Sequence, residues 1–186
     1  MFSYLDLKRG TVFLLDGQPY QVIESKQMKK AQDVAVVQTK IRNLITGKVI
    51  ERNFHKDDIF EEAELEKIEV KFIYSKRGKF YFSKIQDPSQ RIELIEEQIG
   101  DNAKFLKPGQ IVTGLLFEEK MISINLPIKV QLKVIESPLS LKGERAQSGT
   151  KMVTLETGAK INVPLFIKEG DIIEINTEKG EYVRRV

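Results

Sequence analysis

The sequence predicts an all-β protein built as three consecutive small barrels. Short runs of alternating apolar and polar residues recur along nearly the whole chain, and turn signals rich in Gly and Asp separate them. The runs also group into three units of about 60 residues, a size at which short strands with regular turns close into five- or six-stranded barrels. The unit boundaries read as 1–63, 64–126 and 127–186. One large irregular sandwich is the competing architecture. A barrel this small buries a modest core, so contacts between barrels are expected to help hold it.

In the first unit, Thr11–Leu15 and Tyr20–Ile23 form a hairpin around Asp16-Gly17, because Asp-Gly supplies left-handed turn geometry. A second hairpin joins Val34–Leu44 to Lys48–Phe54 across Thr46-Gly47, and Val37–Leu44 alternates across one sheet. The acidic stretch after His55 reads as a link to the second unit. There Glu69–Tyr74 and Phe80–Phe82 pair across Ser75–Lys79, and Asp87-Pro88 turns the chain. Ile92, Ile95 and Ile99 fall at helical spacing, which predicts a short helix over 92–99 stopped by Gly100. Ile111–Phe117 and Met121–Leu126 complete that unit. The third begins with the clean alternation of Lys129–Glu136 and continues through a long loop, Ser137–Lys151. Its further strands are Met152–Leu155, Lys160–Val163, Asp171–Asn176 and Tyr182–Val183.

Composition narrows the chemistry. The 186 residues contain no Cys, which removes disulfides and thiolate metal sites and fits a reducing compartment. No apolar run approaches the roughly 18–20 residues of a membrane span, and the N-terminus lacks the apolar centre of a secretory signal. A cytoplasmic protein without membrane contact is expected. Catalysis is not. The sole histidine, His55, stands beside an acidic run, and neither a Gly-x-Ser-x-Gly elbow nor a Gly-x-x-x-x-Gly-Lys phosphate loop is present. The acids Asp57, Asp58, Glu61, Glu62 and Glu64 lack a calcium-loop pattern and read as a solvated face. No metal or cofactor is expected.

Charge is segregated along the chain. A net charge of +3 says little, but residues 57–69 hold seven acids against one Lys. Between Glu24 and Arg42 there are five Lys or Arg against two acids, on a hairpin-like arm whose tip carries Lys29, Lys30 and Gln32. Such an arm can enter a nucleic-acid crevice that a barrel cannot. The loop Lys142–Lys151 is a second candidate: Gly143 and Gly149 allow close backbone approach, and Arg145 and Lys151 can pair with phosphate. An ordinary surface loop is its competing reading. The C-terminal segment offers Tyr182 with two guanidinium groups, whereas Phe80, Tyr81 and Phe82 read mostly as core.

Several blocks in order resemble one family, the bacterial elongation factor P family. They are Leu15-Asp-Gly-Gln-Pro-Tyr20, Ile99-Gly-Asp-Asn-Ala-Lys104, Thr154-Leu-Glu-Thr-Gly158, Val163-Pro-Leu-Phe-Ile-Lys-Glu-Gly-Asp171 and Thr177-Glu-Lys-Gly-Glu-Tyr-Val183. The resemblance covers essentially the whole chain. It implies an L-shaped monomer with an N-terminal SH3-like (KOW-type) barrel and two oligonucleotide-binding-type (OB-type) barrels. It also implies a factor that binds both ribosomal subunits between the peptidyl-tRNA and exit-tRNA sites and relieves stalling at consecutive prolines. The first-domain tip would then reach the acceptor end of peptidyl-tRNA, and a third-domain loop would face the exit-site codon. That loop corresponds to Gly143, Glu144, Arg145 and Ala146, with Arg145 standing where the family has Thr. The terminal family residues correspond to Tyr182 and Arg185.

The tip departs most from the family pattern, Lys-Pro-Gly-Lys-Gly or an Arg at the fourth place. Counting back without a gap from Thr39 gives Lys29, Lys30, Ala31, Gln32 and Asp33. Gln32 takes the place of the residue that commonly carries a modification, and it lacks the required amine. A shifted alignment would put Lys30 at the apex instead.

Overall fold

The computed structural model describes residues 2–29, 35–138 and 149–186. Among these, three antiparallel sheets carry the fold, each with its own buried cluster. The first sheet contains β1 (Phe2–Ser3), β2 (Val12–Leu15), β3 (Gln18–Lys29), β4 (Ala35–Asn43), β5 (Val49–Phe54) and β6 (Ile59–Glu62), in the order β1-β6-β2-β3-β4-β5. Asp16 and Gly17 both take positive φ, 51° and 75°, and bring Leu15 opposite Gln18. That is the hairpin turn whose twist matches its strands.

The acidic run after His55 is not the expected link. Its centre is β6, paired with β1 and β2. Only Phe60 must point inward for this, and its ring meets Phe13 at 5.1 Å and Phe54 at 4.9 Å, both edge to face. The neighbouring Ile59, Glu61 and Glu62 remain exposed. A strand whose outer face is solvated tolerates charge at alternate positions.

The second sheet contains β7 (Glu66–Lys76), β8 (Lys79–Lys84), β9 (Arg91–Ile95), β10 (Ile111–Phe117) and β11 (Lys120–Asn125), ordered β11-β10-β7-β8-β9. The helix expected over 92–99 is half strand. Ile92 pairs with Phe82 and Leu94 with Phe80, so only α1 (Glu96–Ile99) is helical. Spacing alone could not separate the two, because Leu94 is buried by strand alternation while Ile99 is buried from the helix.

The third sheet contains β12 (Lys129–Glu136), β13 (Thr150–Leu155), β14 (Lys160–Pro164), β15 (Ile172–Asn176) and β16 (Glu181–Arg185), ordered β14-β13-β12-β15-β16. Counted from the first strand of each unit, the second and third sheets share one order: third, second, first, fourth, fifth. Contacts between β9 and β11, and between β14 and β16, bring the outer strands together and close each sheet on itself. Five strands so ordered form the partly open barrel of the oligonucleotide-binding class.

The barrels are physically coupled. A 3-10 turn, Asp101–Phe105, follows α1 and sends Phe105 into the core of the third barrel among Val130, Leu132 and Val153, where it is 1% exposed. Around this plug, Lys107 Nζ lies 2.9 Å from Glu156 Oε1, which also accepts the Lys133 backbone N–H at 2.9 Å. Arg9 Nη2 of the first barrel donates to the Glu178 carbonyl of the third at 3.1 Å. Truncating a buried phenyl ring costs about 3–5 kcal/mol. Phe105→Ala is therefore expected to lower the unfolding free energy by that amount in a urea titration followed by circular dichroism. A loss below about 1 kcal/mol would show that the third barrel does not rely on the plug.

Candidate nucleic-acid interface

β3 and β4 form a ribbon that outruns its barrel. β5 leaves β4 at the Val37–Phe54 pair, yet β3 and β4 continue through Met28–Val36 to Lys29–Ala35. Val37, Thr39, Ile41 and Asn43 face inward and are buried. The outward rows are Gln21–Arg42–Val49, Glu24–Lys40–Glu51 and Lys26–Gln38–Asn53. Lys40 thus stands between two acids, while Lys26 faces neutral amides. Cross-strand neighbours of opposite sign offset one another, so among the described outward rows Lys26, in the row nearest the tip, is the cation left without an acid opposite. Lys29 ends β3; Lys30, Ala31, Gln32 and Asp33 lie outside the described residues.

Arg42 has a different task from the other arm cations. Its half-buried guanidinium lies against the second barrel, where Nη1 donates to the Ile99 carbonyl across a long 3.4 Å. Its buried Nε has no hydrogen-bond partner among the described residues. Desolvation lowers the Arg42 pKa, and the nearby Asp101 carboxylate opposes that shift. Gly100, at φ 84°, leaves the space: a Cβ there would run into the guanidinium.

The turn after β4 completes this joint. Asn43 Oδ1 accepts the backbone N–H groups of Ile45 and Thr46, each at 2.9 Å, and its Nδ2 donates to Gln18. The shaped turn presents the Ile45 carbonyl to Gln98 Nε2 at 2.8 Å. Gln98 Oε1 in turn accepts the Ile95 N–H at 2.9 Å. Gly47, at φ 76°, packs so closely on Glu97 that a side chain could not fit. Three successive contacts on α1 and Gly100 therefore fix the base of the arm. This role is hard to read from sequence, because Arg42 occupies an outward position of an alternating strand and reads as solvent-exposed. The glycine directly after Ile99 is the sequence signal that could have raised the question, since Gly marks places of close approach.

In the third barrel, Gly143, Glu144, Arg145 and Ala146 lie outside the described residues. The flanks of their loop are tied: Ser137 Oγ donates to the Ile167 carbonyl at 3.1 Å and Lys151 Nζ to the Pro138 carbonyl at 3.4 Å. Lys151, a candidate phosphate ligand, is thus engaged with backbone. Tyr182 packs half-buried on the third core. Arg185 is exposed, 3.8 Å from Asp171 and 5.9 Å over the ring of Phe166. Its neighbour Arg184 pairs with the buried Glu174 at 3.2 Å, and that bond holds the carboxyl below its ordinary pKa. Lys29, at the end of β3, and Tyr182 and Arg185, on β16, belong to different sheets.

His55 is exposed, with Nδ1 3.9 Å from Asp58. Asp6, Glu61, Glu62, Glu64, Glu66, Glu118 and Glu119 line a crevice between the first two barrels. No His, Cys, Asp or Glu group among the described residues is placed to hold a metal. Nor is any helix among them long and apolar enough to cross a membrane.

A barrel with a projecting ribbon, followed by two barrels of oligonucleotide-binding order, defines a three-barrel β protein with its reach concentrated at one end. The family models described as "Elongation factor P (EF-P) KOW-like domain", "Elongation factor P (EF-P) OB domain" and "Elongation factor P, C-terminal" match residues 3–60, 65–124 and 130–185. Elongation factor P of Wolinella succinogenes is 36% identical over 185 residues, covering 100% of this chain and 98% of that protein. Elongation factor P of Acetivibrio thermocellus is 39% identical over 186 residues, covering 100% of both. The chain belongs to the elongation factor P family and is a translation factor.

Gly100→Ala tests the joint, with Gly10→Ala as control. Gly10 also has positive φ, at 91°, but a Cβ there meets nothing within 4 Å. Gly100→Ala is expected to push the end of Arg42 aside and so to cost about 1 kcal/mol more than Gly10→Ala in thermal unfolding, the value of the lost bond to Ile99. It should also broaden the spin-label distance between the arm and the second barrel. Equal behaviour of the two variants would show that Arg42 and Gly100 do not hold the arm.

Proposed function

We propose that this chain binds the ribosome between the peptidyl-tRNA and exit-tRNA sites and promotes peptide-bond formation at consecutive prolines. The observation that carries this reading is the two-stranded arm: it runs past its barrel, and Lys26 in its last described outward row has no acid opposite. In the proposal the tip, Lys29 to Asp33, meets the acceptor end of peptidyl-tRNA. Lys29 and Lys30 pair with phosphate, and the unmodified Gln32 amide donates hydrogen bonds. The loop from Gly143 to Ala146 faces the exit-site codon near the small subunit, and Tyr182 and Arg185 supply further RNA contacts.

No chemical group from this chain is required. Proline is a constrained, poor nucleophile, and holding peptidyl-tRNA in a reactive pose lowers the entropic part of the barrier. The ribosome remains the catalyst; the protein is a positioning factor rather than an enzyme and uses no cofactor. It works as a cytoplasmic monomer, with domains at 1–63, 64–126 and 127–186.

Reconstituted translation of a triple-proline reporter tests the reading. Unmodified protein should raise full-length product, and Gln32→Ala should reduce that stimulation about fivefold, the value of roughly one net hydrogen bond. No stimulation by the unmodified protein would contradict the mechanism. A modification mapped to Lys30 in protein from the native host would move the apex to that residue.

A further inference from the structure

On the outward face of β7, β8 and β9, two tyrosines stack in a cross-strand pair. Tyr74 and Tyr81 lie with ring centroids 4.6 Å apart and planes 24° from parallel. The inward neighbours Phe72, Phe80 and Phe82 belong to the core. Strict alternation from Phe72 would send Tyr74 inward as well. A bulge between Phe72 and Tyr74 inserts one residue, turns Tyr74 outward and sets it opposite Tyr81. Bulges of this kind re-aim side chains and are common beside functional sites.

Tyr74 remains 47% exposed. On its other side β10 begins only at Ile111, opposite Lys71, so no strand pair covers its outer ring face. Tyr81 stands opposite Glu93 of β9, whose carboxylate pairs with Lys79 Nζ at 2.7 Å. The row on one side of the rings is Lys71–Ser83–Arg91, and the row on the other includes Lys76. Lys71, Lys76 and Arg91 are exposed and make no ion pair among the described residues. An open ring face between unpaired cations is the pattern that binds single-stranded nucleic acid, with the ring taking a base and the cations the flanking phosphates. The bulge itself belongs to the barrel plan, since β12 of the third barrel carries one at the corresponding place between Val134 and Glu136; the open ring and the unpaired cations are what set this face apart.

We propose that this face of the second barrel binds single-stranded RNA, with one base stacked on Tyr74 and adjoining phosphates held by Lys71, Lys76 and Arg91. The site goes beyond the arm and does not depend on where the arm reaches. Its failure would leave the triple-proline reading untouched.

The test titrates the full chain with an eight-nucleotide uridine oligomer. The chain has five Tyr and no Trp, so quenching of tyrosine emission reports stacking directly. Tyr74→Ala should weaken binding about tenfold and Tyr74→Phe should preserve it, since stacking needs the ring and not the hydroxyl. Replacing Lys71 and Lys76 together by Gln should reduce the slope of log affinity against log salt by about 1.4, the release expected from two phosphates. This second variant decides the matter if Tyr74→Ala does not fold. Absence of binding at low salt, unchanged affinity in a folded Tyr74→Ala variant, or an unchanged salt slope in the lysine variant would each overturn the site.

Discussion

Arg42 sits near the root of the β3–β4 ribbon, and its guanidinium is pressed out of water against the turn at Gly100. A desolvated arginine with one unsatisfied nitrogen is costly on its own terms. It persists because the surrounding pieces over-determine its place: Asn43 shapes the turn, Gln98 reads the Ile45 carbonyl, and Gly47 closes on Glu97. The gain is directional. A ribbon two strands wide would swing if only one covalent linker held its barrel. Anchored at three points, it keeps one heading relative to the second barrel.

The same logic continues down the molecule. The stretch that begins at α1 grips the first barrel with Gln98 and the third with Phe105, so one short segment sets both joints. Neither grip is large, but each replaces water at positions where a Cβ or a cavity would be felt at once. Charge follows this frame. Acids line the crevice between the first two barrels, whereas Lys26 on the arm faces neutral amides and unpaired cations lie on the outward face of the second barrel. A polyanion is thereby favoured along some surfaces and repelled from another.

The three-barrel plan was legible because turn chemistry is local: Asp16-Gly17 announces its hairpin whatever surrounds it. The arm was legible through its charge. The joints were not, since Arg42 and Phe105 acquire their roles only when distant segments meet them, and both look ordinary in their own stretches. The strand at Ile59–Glu62 hid behind its acids because a single inward Phe60 suffices to dock it. Tyr74 was hidden for a third reason. A bulge shifts the phase of alternation, and no pattern of period two reveals a residue inserted to break it.

The arm can act on tRNA only if the joint aims its tip. A photo-crosslinking amino acid placed at position 32, on ribosomes stalled at consecutive prolines, measures that aim directly. Crosslinks to the 3′ end of peptidyl-tRNA are expected, with a marked loss of them when Gly100→Ala is added. Crosslinks confined to other ribosomal components, or a yield unaffected by Gly100→Ala, would contradict this role of the joint.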